Sequence, residues 1–224
     1  MKKYVIVSSN GNVDYEWYID LVEWAWKRLG WETIVMRPFQ LDNYREITIT
    51  QCIRLYAASD LVKFQDDDIL MTSDADMIPL SDYWKPDPNK ITVYGHDLTK
   101  FKHIPICYVA MNARNWRNVM NLNNNIKDCM HRDLINSRAM SIFKFRWWYV
   151  DQDILTDRLS FHQIEKVNRG FETNSKFAFG RVDRASHNFP SALIDYHVPR
   201  SPTQHIKEIK NVIFKAFGEC PSFL

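Results

Sequence analysis

The sequence predicts an α/β domain with a mainly parallel central sheet flanked by helices. Short apolar, β-branched runs recur at Lys3–Ser8, 31–36, Ile69–Thr72 and Ile91–Tyr94. The segments between the early runs repeat their apolar residues at helical spacing, and strand, turn, helix and strand follow one another as a parallel sheet requires.

Residues 3–8 read as a buried strand halted by the turn signal Ser9-Asn10-Gly11. A helix follows, with Asp14 as N-cap, Val13 and Tyr18 as a hydrophobic staple, and a stripe of Tyr18, Val22, Ala25 and Leu29 that ends at Gly30. Residues 31–36 form the second strand, closed by Pro38. Ile49, Cys52, Ile53 and Tyr56 place a helix over 48–61 with Arg54 off its apolar stripe.

Strands are expected at 69–72, 91–94 and 106–111, then helix to about residue 138, the aromatic run 143–149, and a short helix in DQDILTDRL. Residues 161–167 and 177–182 read as later strands. A terminal helix, about 203–217, carries Ile206, Ile209, Ile213 and Phe217 on one face. The 224 residues fit one domain spanning 1–224, whose last helix either packs as a tail or leads into further domains of a longer protein.

With 46% hydrophobic and 14% aromatic residues the chain can bury a full core. A formal charge of +2 provides no global field toward nucleic acid or acidic membranes. The four cysteines form no Cys-x-x-Cys pair, which argues against a zinc knuckle or a redox motif and for reduced thiols in a cytoplasmic setting. No run reaches the ~18 apolar residues of a membrane span.

The chemistry concentrates in DDDILMTSDADMIPL. Asp66 to Asp68 lie at the entry of the third strand and read as a solvated loop, whereas Asp74 and Asp76 lie at its exit. In extended geometry their carboxylates point the same way, and a hard divalent cation, Mn²⁺ or Mg²⁺, relieves their repulsion while sharing its remaining positions with substrate phosphates. The loops VSSNG and TSDAD open onto one crevice beyond the carboxyl ends of parallel strands. Neither a dinucleotide fingerprint nor a Walker sequence is present.

The order of strand-SSNG-helix, QCIRLYAASDL, DDDILMTSDADMIPL, CYVAMNARNW, WWYVDQDILTDRL and IDYHVPR resembles glycosyltransferases of the GT-A (Rossmann-like) fold. It is particularly similar to the small domain of chlorella-virus-encoded glycosyltransferases, over roughly residues 3–200. The resemblance implies that Asp76 is a metal ligand, that Asp74 contacts metal or ribose, and that His197 completes the metal site. It also implies that Ser8, Ser9 and Asn10 hold the nucleoside and that Arg54 reaches the nucleotide near the metal. Arg54 read by itself is equally an exposed helix residue, and His197 a structural histidine.

For the transfer itself, Asp153 is the preferred catalytic or acceptor-binding carboxylate and Asp151 the second, since helix capping also explains Asp151. Trp147, Trp148 and Tyr149 form either core or a sugar platform. Arg181, Arg184 and Arg200 are candidate cations for the diphosphate, Arg200 foremost.

The expected activity is metal-dependent transfer of a sugar from a nucleoside-diphosphate sugar, a UDP-sugar, to a hydroxyl of a glycan or glycoprotein. The resemblance extends this to a viral capsid glycoprotein in a host cytoplasm. A non-catalytic nucleotide-sugar or glycan-binding module and a two-metal phosphoryl or nucleotidyl transferase are the alternatives.

Overall fold

The computed structural model describes residues 1–98, 103–137, 149–172, 177–184 and 189–224. Nine strands lie within them: β1 Lys3–Ser8, β2 Glu32–Met36, β3 Ile69–Thr72, β4 Met77–Pro79, β5 Ile91–Tyr94, β6 Val109–Asn112, β7 Ile164–Val167, β8 Arg181–Asp183 and β9 Asp195–His197. Six form the central sheet in the order β2-β1-β3-β6-β5-β7, and three form a second sheet, β4-β9-β8. In the central sheet β6 alone runs against its neighbours; β1 pairs in parallel with both β2 and β3, and β5 with β7.

Alternation along the strands divides the core between the two faces of this sheet. Tyr4 and Ile6 of β1 and Leu70 of β3 pack beneath the helices Glu46–Ile53, Ala113–Met120, Ile126–Asn136 and Val150–Leu159. Val5, Val7, Ile69 and Met71 face the helices Ile19–Arg28 and Ile206–Phe217 and the second sheet. Both faces are covered, which is why these strands read as unbroken apolar runs.

Connectivity explains where a crevice forms. From β1 the chain passes to β2 on one side, then crosses to β3 on the other, so the loops leaving β1 and β3 diverge at their shared carboxyl end. The second sheet then brings a distant segment to that opening. Met77 of β4 stands opposite His197 of β9, and Asp183 of β8 is also in register with His197.

Several local expectations change. Asn12, not Asp14, caps the first helix, its side chain accepting from the Asp14 N–H, and Val13 is 78% exposed and staples nothing. The helix expected over 48–61 ends at Ile53 and tightens into a 3₁₀ turn over Arg54–Ser59. The helical stretch after residue 112 is two helices, divided where Asn121 adopts φ 47°, a left-handed value that asparagine tolerates. Residue 138 and residues 143–148 of the aromatic run lie outside the described residues. The later strands begin at Ile164 and Arg181 rather than at 161 and 177. Among the described residues no helix is long and apolar enough to cross a membrane.

The acidic entry to β3 is not simply solvated. Asp66 pairs with Arg114 and Arg117, while Asp68 is 3% exposed and accepts the backbone N–H groups of Lys2 (2.7 Å) and Gln65 (3.0 Å). Its carboxylate ties the start of β1 to the start of β3. Asp68→Ala leaves both donors without this acceptor and is expected to cost about 1–3 kcal/mol, read as a lowered urea midpoint at unchanged slope.

Candidate active site

A cavity of about 450 Å³ opens where β1 and β3 end. Its walls include Ser8, Ser9 and Asn10 after β1, Asp74 to Asp76 after β3, Arg54, Asp151 with Gln152, and His197 with Arg200 beyond β9. Thus Ser8, Ser9, Asn10, Arg54, Asp74, Asp76, Asp151, His197 and Arg200, scattered through nearly two hundred positions, share one space. Asp153 is not among its lining residues.

Arg54 organises one wall. Its side chain is 6% exposed and extends from the 3₁₀ turn to donate to the Ser73 carbonyl at 2.7 Å, to Asp151 Oδ2 at 2.8 Å, and to the Asp74 carboxylate. Burial works against the guanidinium charge, but Asp74 and Asp151 outweigh it and keep Arg54 charged. Burial raises the Asp151 carboxyl above the usual range even with Arg54 pulling the other way. The exposed-helix reading of Arg54 is therefore excluded: this guanidinium is a buried bracket between two carboxylates.

Asp74 and Asp76 do not point the same way. Residues 75 and 76 form a turn closed by the Met77 N–H on the Asp74 carbonyl at 3.2 Å, so the extended geometry expected for the pair is broken. Asp74 turns to Arg54, whereas Asp76 Oδ2 lies 3.5 Å from His197 Nε2 and 3.4 Å from Arg184 Nη1. On its far side His197 Nδ1 meets Asp183 Oδ2 at 3.0 Å. Burial opposes ionisation of both partners. His197 and Arg184 nevertheless hold the Asp76 carboxyl below its usual value, and Asp183 and Asp76 push His197 up to about 9.

Among the described residues no three His, Cys, Asp or Glu side chains are gathered as a ready metal cage. The donors do fit a divalent ion with an incomplete protein shell. Asp76 offers a hard carboxylate oxygen and His197 a borderline imidazole nitrogen, side by side on the cavity wall. Asp183 on Nδ1 orients the ring so that Nε2 faces Asp76, the carboxylate–histidine arrangement that supports metal-binding imidazoles.

The remaining candidates separate clearly. The Ser9 hydroxyl donates to Glu16 Oε2 at 2.6 Å, and Glu16 is gripped by both terminal nitrogens of Arg37, so Ser9 shapes the loop from within it. Asp151 is not the helix cap: Tyr149 occupies that position. Two residues span about 200° around a helix, so Asp153 cannot share the Asp151 face; it accepts from Ser137 Oγ at 3.2 Å and pairs with His103. Trp147 and Trp148 lie outside the described residues.

Arg181 is not available for a diphosphate, since it clamps Asp195. The buried Asp195 carboxylate takes paired hydrogen bonds from Arg169 (2.8 and 2.6 Å) and from Arg181 (3.1 and 2.9 Å). Arg200 is exposed on the cavity rim and has no acidic partner among the described residues.

Gln152, Tyr15 and Ile47 also line the cavity and were not anticipated. Gln152 carried a signal, its place inside DQD beside Asp151; the other two carried none beyond nearness to Asn10 and Arg54. Asp183 and Arg169 reach their partners only through tertiary pairing.

No family model matches the chain, and no curated protein matches it. Among solved structures, it is similar to a glycosyltransferase involved in the glycosylation of the major capsid of PBCV-1, with a TM-score of 0.53 at 10% identity over 93% of this chain and 99% of that one. The chain has the GT-A fold. Galactosyltransferase LgtC, solved with donor and acceptor sugar analogs, aligns over 98% of both chains at 14% identity with a TM-score of 0.49. A Drosophila β-1,4-galactosyltransferase 7 mutant, solved with manganese, UDP-Gal and xylobiose, aligns over 91% of this chain and 74% of that one at 12% identity and a TM-score of 0.44. In the GT-A fold of this chain, the cavity described above occupies the crevice at the β1/β3 crossover.

Proposed function

We propose that the chain is a metal-dependent glycosyltransferase that moves a sugar from a nucleoside-diphosphate sugar, specifically a UDP-sugar, to a hydroxyl of a glycan. The observation that carries this is the Asp76–His197 pair, backed by Asp183 and set in the same cavity as Asp74, Asp151 and Arg200. That set supplies donors for a divalent ion, Mn²⁺ rather than Mg²⁺ because one donor is an imidazole, and, in Arg200, a rim cation with no acidic partner among the described residues. A glycan carried on a glycoprotein as acceptor is supported by the similarity to the PBCV-1 enzyme, which is involved in the glycosylation of the major capsid.

Each wall has a task. Ser8, Asn10, Tyr15 and Ile47 surround the nucleoside end, where Tyr15 and Ile47 give a base an apolar surface. Arg200 stands where it meets the diphosphate. A divalent ion held by Asp76 and His197 supplies positive charge against the negative charge that grows on the departing diphosphate.

In the transfer, the bond from the sugar's anomeric carbon to the diphosphate oxygen breaks, one forms to the acceptor oxygen, and the acceptor's hydroxyl proton leaves. Asp151 is the carboxylate that faces this chemistry. Burial raises its proton affinity, which suits it to take that proton or to offset positive charge on the sugar.

The test is nucleotide release from a panel of nucleoside-diphosphate sugars with Mn²⁺, with and without glycan acceptors. Acceptor-stimulated release from at least one donor is expected; absence of release and of binding across the panel refutes the reading. A paired comparison assigns the carboxylates. Asp151→Asn is expected to cut turnover at least about 100-fold while nucleotide binding persists, and Asp153→Asn to change it less than about threefold. Equal losses in the two variants would contradict the assignment to Asp151.

A further inference from the structure

A second cavity of about 450 Å³ lies away from the first, on the helical side of the molecule, between the helices Ala113–Met120, Ile126–Asn136 and Val150–Leu159. Its lining includes Asn118, Asp157, Arg158, Phe161 and His162. Phe161 is 93% exposed, an aromatic ring left in water directly after the helix. A lone exposed apolar residue is ordinary on a protein surface, but this one borders a groove edged by hydrogen-bonding side chains. Among the described residues the side chains of Asn118, Asp157 and His162 make no hydrogen bond or ion pair that would occupy them within the protein.

Charge around the groove nearly balances: Asp133 and Asp157 in its lining are acidic and Arg158 is basic, and Arg132, outside the lining, joins Arg158 in pairing with the buried Asp133. A phosphate-rich or polybasic ligand gains little here. A neutral pyranose suits the groove: its C–H face packs on an aromatic ring, and its vicinal hydroxyls match the planar carboxylate, amide and imidazole groups.

One helix connects this groove to the transfer cavity. Asp151 and Gln152 at its N-terminal end line the first cavity, and Asp157 and Arg158 at its C-terminal end line the second. From Gln152 to Arg158 is about 9 Å along the axis. One residue beyond Gln152, Asp153 on the same helix accepts from Ser137 of the groove wall at 3.2 Å.

We propose that this groove is a second carbohydrate-binding site, for neutral pyranose oligosaccharides, which holds the part of an acceptor glycan remote from the reacting hydroxyl. Its role in acceptor binding rests on the transferase reading above; its capacity to bind saccharide does not.

Saturation-transfer NMR on the full chain, without nucleotide, tests it with cellotetraose, maltotetraose and xylotetraose as probes. At least one is expected to bind, Phe161→Ala to weaken that binding tenfold or more, and Phe161→Trp, which keeps an aromatic face, to retain it. Because Phe161 is exposed, Phe161→Ala is expected to fold normally and to bind nucleotide sugar with Mn²⁺ as the unsubstituted chain does. Failure of all three tetrasaccharides to bind, or equal binding to Phe161→Ala, overturns the groove. Phe161-dependent saccharide binding without any nucleotide-sugar binding overturns its role as an acceptor site and the transferase reading together, and leaves a saccharide site.

Discussion

Asp76→Ala is expected to lower metal-supported turnover by at least about 100-fold, with a loss of nucleotide-sugar affinity of the same order. The variant removes the carboxylate oxygen beside His197 Nε2 and leaves Arg184 and His197 without their shared partner. His197 keeps Asp183, so the ring stays in place and the loss falls on the ligand set rather than on the fold. Asp183→Asn should then produce a smaller defect, about 10–100-fold in Mn²⁺ affinity, because it disturbs the orientation of the imidazole rather than removing a donor. Titration of Mn²⁺ dependence in the three proteins checks the ranking. An Asp183→Asn defect as large as that of Asp76→Ala would place the ion elsewhere.

Asp195→Ala is expected to be strongly destabilising, costing about 3–5 kcal/mol. Asp195 is fully buried at the start of β9, and its removal leaves the Arg169 and Arg181 guanidinium groups facing each other without a counter-charge. Because β9 also carries His197, loosening this strand is expected to weaken the proposed metal site along with the stability.

The same carboxylate predicts an acid limit. Burial opposes its ionisation, but Arg181 and Arg169 outweigh burial and hold it well below the ordinary carboxyl range. A group whose folded-state value is depressed stabilises above its unfolded value, about 3.9 for aspartate, and loses that stabilisation as pH falls toward the folded value. Urea midpoints measured from pH 6 downward should therefore hold to about pH 4 and then fall. A midpoint unchanged below pH 4 would contradict the clamp.

What the sequence disclosed follows from physical scale. β3 and β5 were legible to the residue because strands buried on both faces are short apolar runs with polar ends. The second sheet was legible only in part: a strand expected over 177–182 overlaps β8, but MIP and DYH are three residues each, too short for any periodicity, and the three strands pair only after the chain has folded. The position of the crevice was likewise readable from two polar strand exits, whereas the direction of each side chain was not. Asp74 and Asp76 diverge because a turn intervenes, and Asp153 leaves the cavity wall because helical rotation, not strand alternation, separates it from Asp151. Arg54 looked peripheral because it lies off the stripe of Ile49, Cys52, Ile53 and Tyr56; the α-helix ends at Ile53, and the 3₁₀ turn carries Arg54 inward.

The most direct test of the account is calorimetric titration of the chain with UDP-sugars in the presence of Mn²⁺ and again with excess chelator. Binding that appears with Mn²⁺ and falls at least about tenfold without it is the predicted result. Binding of equal strength in both conditions would contradict a metal-dependent donor site at Asp76 and His197.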